Sequence, residues 1–168
     1  EHMDGLMEES LDDRIVLLTT SYAYQQFIME HSRFARFMVG NTSDPDSDTA
    51  MEVFEQFINA PPPVILCSPS FGTGWSFDDD RGRLLIISKV PLKPPEGSSK
   101  LQKARLARDP ELNDAETMTE LVQAGGRLQR GFNDWGKVVI ADGSWVWFGH
   151  RNKRFAPRGW VDEVRREG

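Results

Sequence analysis

The chain is poor in the residues that build metal or disulfide frameworks. One cysteine, Cys67, stands among 168 residues. A disulfide framework and a multi-thiolate zinc site are thereby excluded, and a reducing compartment fits. The three histidines, His2, His31 and His150, lie far apart, so a histidine-rich metal centre is not expected. No apolar run approaches the roughly 18 residues that a membrane-spanning helix requires. No signal-peptide pattern opens the chain, and a cytoplasmic protein is expected. Residues Glu1-His2-Met3 read as an expression scar, and residues 4–168 as one domain cut from something larger.

What remains is an ordinary globular composition, 39% hydrophobic and 27% charged. The net charge of −6 argues against a protein that simply coats nucleic acid. That sum hides an asymmetry. Residues 1–60 carry 12 acids and 3 bases, whereas residues 61–168 carry 14 acids and 17 bases. A nucleic-acid enzyme with its bases gathered on one face is compatible with this distribution.

Short apolar runs of strand length recur along the chain. They are Arg14–Thr20, Phe37–Val39, Val64–Cys67, Leu84–Val90 and Val138–Asp142. Continuous apolar character predicts strands buried on both faces, as in a parallel sheet. Helices are expected between them: Asp4–Asp13, Tyr22–His31 capped by Ser21, and a segment from Ser47 or Asp48 to Asn59, stopped by Pro61-Pro62-Pro63. A basic helix is expected over Ser98–Arg108. The chemistry of Asn113-x-x-Glu116 predicts a capping box opening a helix to Arg130, and a last helix is expected near Trp160–Arg166. This alternation predicts an α/β fold with a parallel sheet and helices on both faces. Ligands of such folds bind beyond the carboxyl ends of the strands. The loops after Thr20, Cys67 and Val90 are therefore where function is expected.

Three segments carry candidate chemistry. Gln123-Ala124-Gly125-Gly126-Arg127-Leu128-Gln129-Arg130 would place Gln123, Arg127 and Arg130 on one helical face, a fork for phosphate oxygens. Its two glycines would each cost about 1 kcal/mol inside a helix, so a close approach of backbone or ligand is expected there. Ser68-Pro69-Ser70-Phe71-Gly72-Thr73-Gly74-Trp75-Ser76-Phe77 follows a strand. It offers backbone amides and hydroxyls to an anion, and Trp75 to a base. Thr19-Thr20-Ser21 places hydroxyls at a helix N-terminus, either an anion site or an ordinary cap.

Gln123–Arg130 resembles motif VI of superfamily 2 helicases, Val64–Phe77 their motif V and Arg14–Ser21 their motif IV. Motif VI there reads Q-x-x-G-R-x-x-R. The proline-rich connector after Lys89, then Lys103-Ala104-Arg105, and Ile140-Ala141-Asp142 resemble the DinG/XPD type, over nearly all of residues 14–165. The resemblance implies the second, C-terminal RecA-like domain of an ATP-dependent DNA helicase. The chain has no G-x-x-x-x-G-K-[ST] of its own, so ATP and magnesium would be held mainly by a first RecA-like domain. That domain in some relatives also carries an iron–sulfur cluster. By position, Arg130 resembles the arginine finger, with Arg127 assisting it. Gln123, Gly126, Gly74 and Ser76 would face the nucleotide. Thr20, Ser21, Ser70, Thr73 and Trp75 would hold single-stranded DNA. Relatives usually carry Asp where this chain has Ser76. The partners implied are single-stranded DNA and the first domain, with no membrane and no metal bound by this chain. A translocase that does not unwind, and a non-catalytic nucleic-acid-binding or regulatory module on a motor fold, are the alternatives.

Overall fold

The computed structural model describes residues 2–44, 48–95, 97, 99–128 and 135–164. The five strands β1 (Arg14–Leu18), β2 (Met38–Val39), β3 (Val64–Ser68), β4 (Leu84–Ile87) and β5 (Lys137–Ile140) form one sheet of order β2-β3-β1-β4-β5. Every pairing is parallel. The register sets Leu18 beside Ser68 and Ile87, and Ile87 beside Ile140. The carboxyl ends of four strands therefore finish along one edge, and the loops leaving them start side by side.

The central strands alternate between two cores, as burial on both faces requires. Val16, Leu18, Val64, Leu66, Leu85 and Ile87 face one core, under α3 (Ala50–Asn59), α5 (Leu112–Gly125), α6 (Trp145–Arg151) and α7 (Trp160–Glu163). Ile15, Leu17, Ile65, Cys67, Leu84 and Ile86 face the other, under α1 (His2–Glu8) and α2 (Tyr22–His31). The expected layers are present. Burial pushes the Cys67 thiol up to about 12, so the one cysteine fills space and is no nucleophile.

Several boundaries differ from expectation for identifiable reasons. His2 and Met3 belong to α1, and Met3 packs against the second core. Helix α3 is opened by Thr49 rather than by Ser47 or Asp48. Thr49 and Glu52 form a full capping box, the reciprocal pairing of hydroxyl and carboxylate that satisfies two orphan amides. Its inward face carries Val53 and Phe57, while Met51 is 57% exposed. Asn113 does not cap α5. It is buried inside that helix, donating to the Pro94 carbonyl (2.9 Å) and accepting from Gln102 (3.1 Å). The basic helix is confined to α4 (Lys100–Leu106). Between β3 and β4 there is no α-helix among the described residues. The glycine-rich loop and a single 3-10 turn, Asp79–Arg81, make that crossing.

Candidate nucleic-acid interface

A cavity of about 370 Å³ opens at the carboxyl edge of the sheet. Thr19 and Thr20 enter it from the end of β1. Pro69, Ser70, Gly72 and Thr73 enter from the end of β3, and Lys89 and Pro91 from the end of β4. Glu120, Leu121 and Ala124 of α5 close it. Parallel register brings these segments together, since strands of matched ends deliver their loops to one place.

Ser70 is held by a network of short polar contacts. Its hydroxyl lies 2.7 Å from the Tyr22 hydroxyl and accepts from the Asn41 side-chain amide at 3.1 Å. Asn41 also donates to Tyr22 (3.0 Å), and its oxygen accepts from Ser68 (2.6 Å). The Ser68 hydroxyl accepts from the Ser70 backbone amide (3.1 Å). With Tyr22 donating to Ser70, both lone pairs of that hydroxyl are taken and its own proton is left for a ligand oxygen. Gln25 donates to the Asn41 carbonyl at 2.9 Å, which fixes the loop after β2 to α2.

The predicted DNA-holding residues separate here. Thr20, Ser70 and Thr73 line the cavity. Ser21 is not among the lining residues. Its hydroxyl caps α2 by accepting from the Tyr24 amide (3.2 Å). Trp75 is half-buried, with its ring 4.8 Å from Phe54 and 4.9 Å from Phe71. That is a packing position, and Phe71 and Phe77 beneath it are fully buried.

The reading of motif VI as one helical face is corrected. Helix α5 ends at Gly125 and is capped by Gly126, so neither glycine sits in mid-helix and neither carries the expected interior cost. The helix ends before Arg127, so Gln123 and Arg127 do not share its face. Gln123 is exposed. The Arg127 side chain turns to the glycine-rich loop and donates to the Trp75 carbonyl at 2.9 Å. Its own carbonyl accepts from the Phe77 amide at 3.0 Å. Two bonds thus fasten the end of α5 to the loop after β3. Gly74, in the left-handed region at φ 83°, makes the turn just before them and has open space where a side chain would stand. Ser76 is half-buried between the two fastened residues. Gly126 lines a neighbouring cleft with Val122, Gly125 and Trp160. Arg130 lies outside the described residues.

Sequence reasoning missed Asn41, Tyr22, Lys89 and Glu120. For Lys89 the strand prediction itself hid it. The run Leu84–Val90 reads as one strand, but pairing stops at Ile87, and Lys89 is already in the loop. At that end Asp142 accepts from the backbone amides of Val90 (2.8 Å) and Ser144 (2.9 Å). Partial burial opposes its ionisation, but the hydrogen bonds from Ser144 and Val90, with the nearby Lys89 charge, hold its carboxyl below the usual carboxylate range.

Comparison with known proteins settles the family. Residues 6–156 match the helicase C-terminal domain family. The chain belongs to that family. Its members of the XPD/DinG type are the relatives in view. ATP-dependent DNA helicase YoaA of Haemophilus influenzae is 29% identical over 144 residues, which is 80% of this chain and 22% of that protein. The general transcription and DNA repair factor IIH helicase subunit XPD of Dictyostelium discoideum is 27% identical over 162 residues, 84% of this chain and 21% of that protein. This helicase C-terminal domain thus spans about a fifth of the length of the curated relatives it matches. A solved XPD helicase superposes with TM-score 0.67 over 91% of this chain and 29% of that one, at 15% identity. That likeness shows the fold, a RecA-like parallel sheet. Among the described residues, no cluster of His, Cys, Asp or Glu could hold a metal ion, and no helix is long and apolar enough to cross a membrane.

Proposed function

We propose that this domain is the second motor half of an ATP-dependent DNA helicase, gripping the backbone of single-stranded DNA at the strand-end cavity. The observation that carries the reading is the convergence of Thr20, Ser70 and Thr73 on one cavity at the carboxyl edge of the sheet. Hydroxyls there donate to phosphate oxygens without reading a base, so the grip is sequence-independent. The names of the relatives, both helicases, support the same reading.

ATP would lie against the other side of the fastened loop, between this domain and a first RecA-like domain carrying magnesium, most phosphate contacts and any iron–sulfur cluster. The residues present suit a ligand approaching closely there: Gly74 leaves space, Gln123 and Gly126 are exposed at the end of α5, and half-buried Ser76 lies between the two residues bonded to Arg127. Arg130 would supply the charge that stabilises phosphoryl transfer, a role typically worth about 10³–10⁵ in rate. Arg127 acts as a positioning residue. By holding Trp75 and Phe77 it makes the end of α5 and the DNA-facing loop move together. Closure on nucleotide would then shift the backbone grip, and release would reset it.

The direct test of the grip is binding of oligothymidylate to this chain, wild type against Thr20→Val with Thr73→Val. Loss of affinity in the double variant, with an unchanged melting temperature, is expected. Equal affinity in the two proteins would place the DNA elsewhere.

A further inference from the structure

The cavity is rich in hydroxyls but nearly bare of charge. Its described lining holds two ionic side chains, Lys89 and Glu120. Glu120 is already paired, since Lys93 donates to it at 2.6 Å, although Lys93 also lies 4.0 Å from Glu116. Lys89 has no carboxylate at ion-pair distance among the described residues. Asp142 feels its charge through space, but the Asp142 oxygens are engaged by the amides of Val90 and Ser144. The Lys89 ammonium instead stands 4.5 Å from the centroid of the Tyr24 ring. Such a contact is worth about 0.5–1 kcal/mol at an exposed site, enough to orient the side chain and too little to hold it against a phosphate.

Resting on the single-strand reading above, we propose that Lys89 is the cation that seats one backbone phosphate in this cavity, with the Tyr24 ring orienting the ammonium only until the strand arrives. Hydroxyls alone position a phosphodiester but release no counterion. A lysine does, and each such contact contributes about −0.7 to the slope of log affinity against log salt for a single strand. Tyr24 sits on α2, next to the threonines that follow β1, and Lys89 follows β4. Tyr24 itself lies outside the cavity lining, packed against the second core, so Lys89 has to leave the ring to meet a phosphate in the cavity.

The experiment measures oligothymidylate affinity of this chain as salt is raised from about 50 to about 200 mM. Lys89→Ala is expected to flatten the slope by about 0.7 and to weaken binding about fivefold near 0.1 M salt. Lys89→Arg keeps the wild-type slope. So does Lys137→Ala, whose lysine begins β5 at the opposite end of the sheet. In parallel, the Lys89 side-chain methylene next to the ammonium should show an upfield ring-current shift from Tyr24, lost as oligothymidylate is titrated in. A Lys89→Ala protein that binds with the wild-type slope, or a Lys137→Ala protein that flattens equally, overturns the assignment of Lys89 while leaving the grip itself standing. A wild-type chain that binds no oligothymidylate at low salt removes the grip, and Lys89 with it.

Discussion

Arg127→Ala separates a structural clamp from a phosphate ligand. The Arg127 guanidinium spends a hydrogen bond of 2.9 Å on the Trp75 carbonyl. A hydrogen bond to a charged group contributes about 1.5–3 kcal/mol. Two effects reduce the net loss. The buried Arg127 Nε has no hydrogen-bond partner among the described residues, so its removal relieves a cost, and the Trp75 carbonyl can recover water once the side chain is gone. The Phe77 amide still reaches the backbone carbonyl of residue 127. A net destabilisation of about 1–1.5 kcal/mol follows, which for a domain of this size lowers the melting temperature by about 2–6 °C. Thermal unfolding of the chain by circular dichroism measures it. Arg127→Lys keeps one donor and should recover part of the loss. If Arg127→Ala melts like wild type, the clamp does no structural work, and the side chain is held in reserve for a ligand.

Two other perturbations test the geometry of the strand ends. A Cβ at Gly40 would stand 2.2 Å from the Cys67 carbonyl oxygen and 2.5 Å from the Gln25 amide nitrogen. Gly40→Ala should therefore destabilise by about 3 kcal/mol, the upper range of overpacking, and a urea midpoint unchanged from wild type would refute that close approach. Asp142 has its folded-state carboxyl held below the ordinary range, so its stabilisation is present above the unfolded value and fades as pH falls through the folded one. Asp142→Asn should lower the urea midpoint at neutral pH and cost progressively less toward about pH 3. An equal loss at both would show that its charge is irrelevant.

The strands were legible because burial on both faces leaves a continuous apolar run, and all five lie where such runs occur. Their carboxyl ends were less so. The run Leu84–Val90 is apolar past the last paired residue, because Val90 packs in the core as a loop residue, so apolar character overstates the strand. The cap of α3 is legible in the sequence, since Thr49-x-x-Glu52 carries the capping-box pattern at the right place. Asn113-x-x-Glu116 carries a similar pattern and means something else, because tertiary partners at Pro94 and Gln102 claim the Asn113 side chain. Helix α6 was not foreseen. Gly149 lowers its propensity, yet a Cβ there would stand 2.9 Å from the Trp145 ring. The glycine is explained by close packing that only the fold reveals. In the candidate site, the order of hydroxyl-bearing loops could be read from the motifs. The turn that takes Arg127 out of the helix, and the Asn41 hub that fixes Ser70, could not, because both depend on contacts between segments distant in the chain.

If this domain is half of a motor, its residues must govern ATP turnover stimulated by single-stranded DNA. The measurement needs a protein carrying both RecA-like domains, wild type against Arg130→Ala, with nucleotide affinity determined alongside. Turnover is expected to fall by about 10³ or more while ATP still binds. Unchanged turnover in Arg130→Ala would contradict it, and the domain would then serve as a binding module on a motor fold.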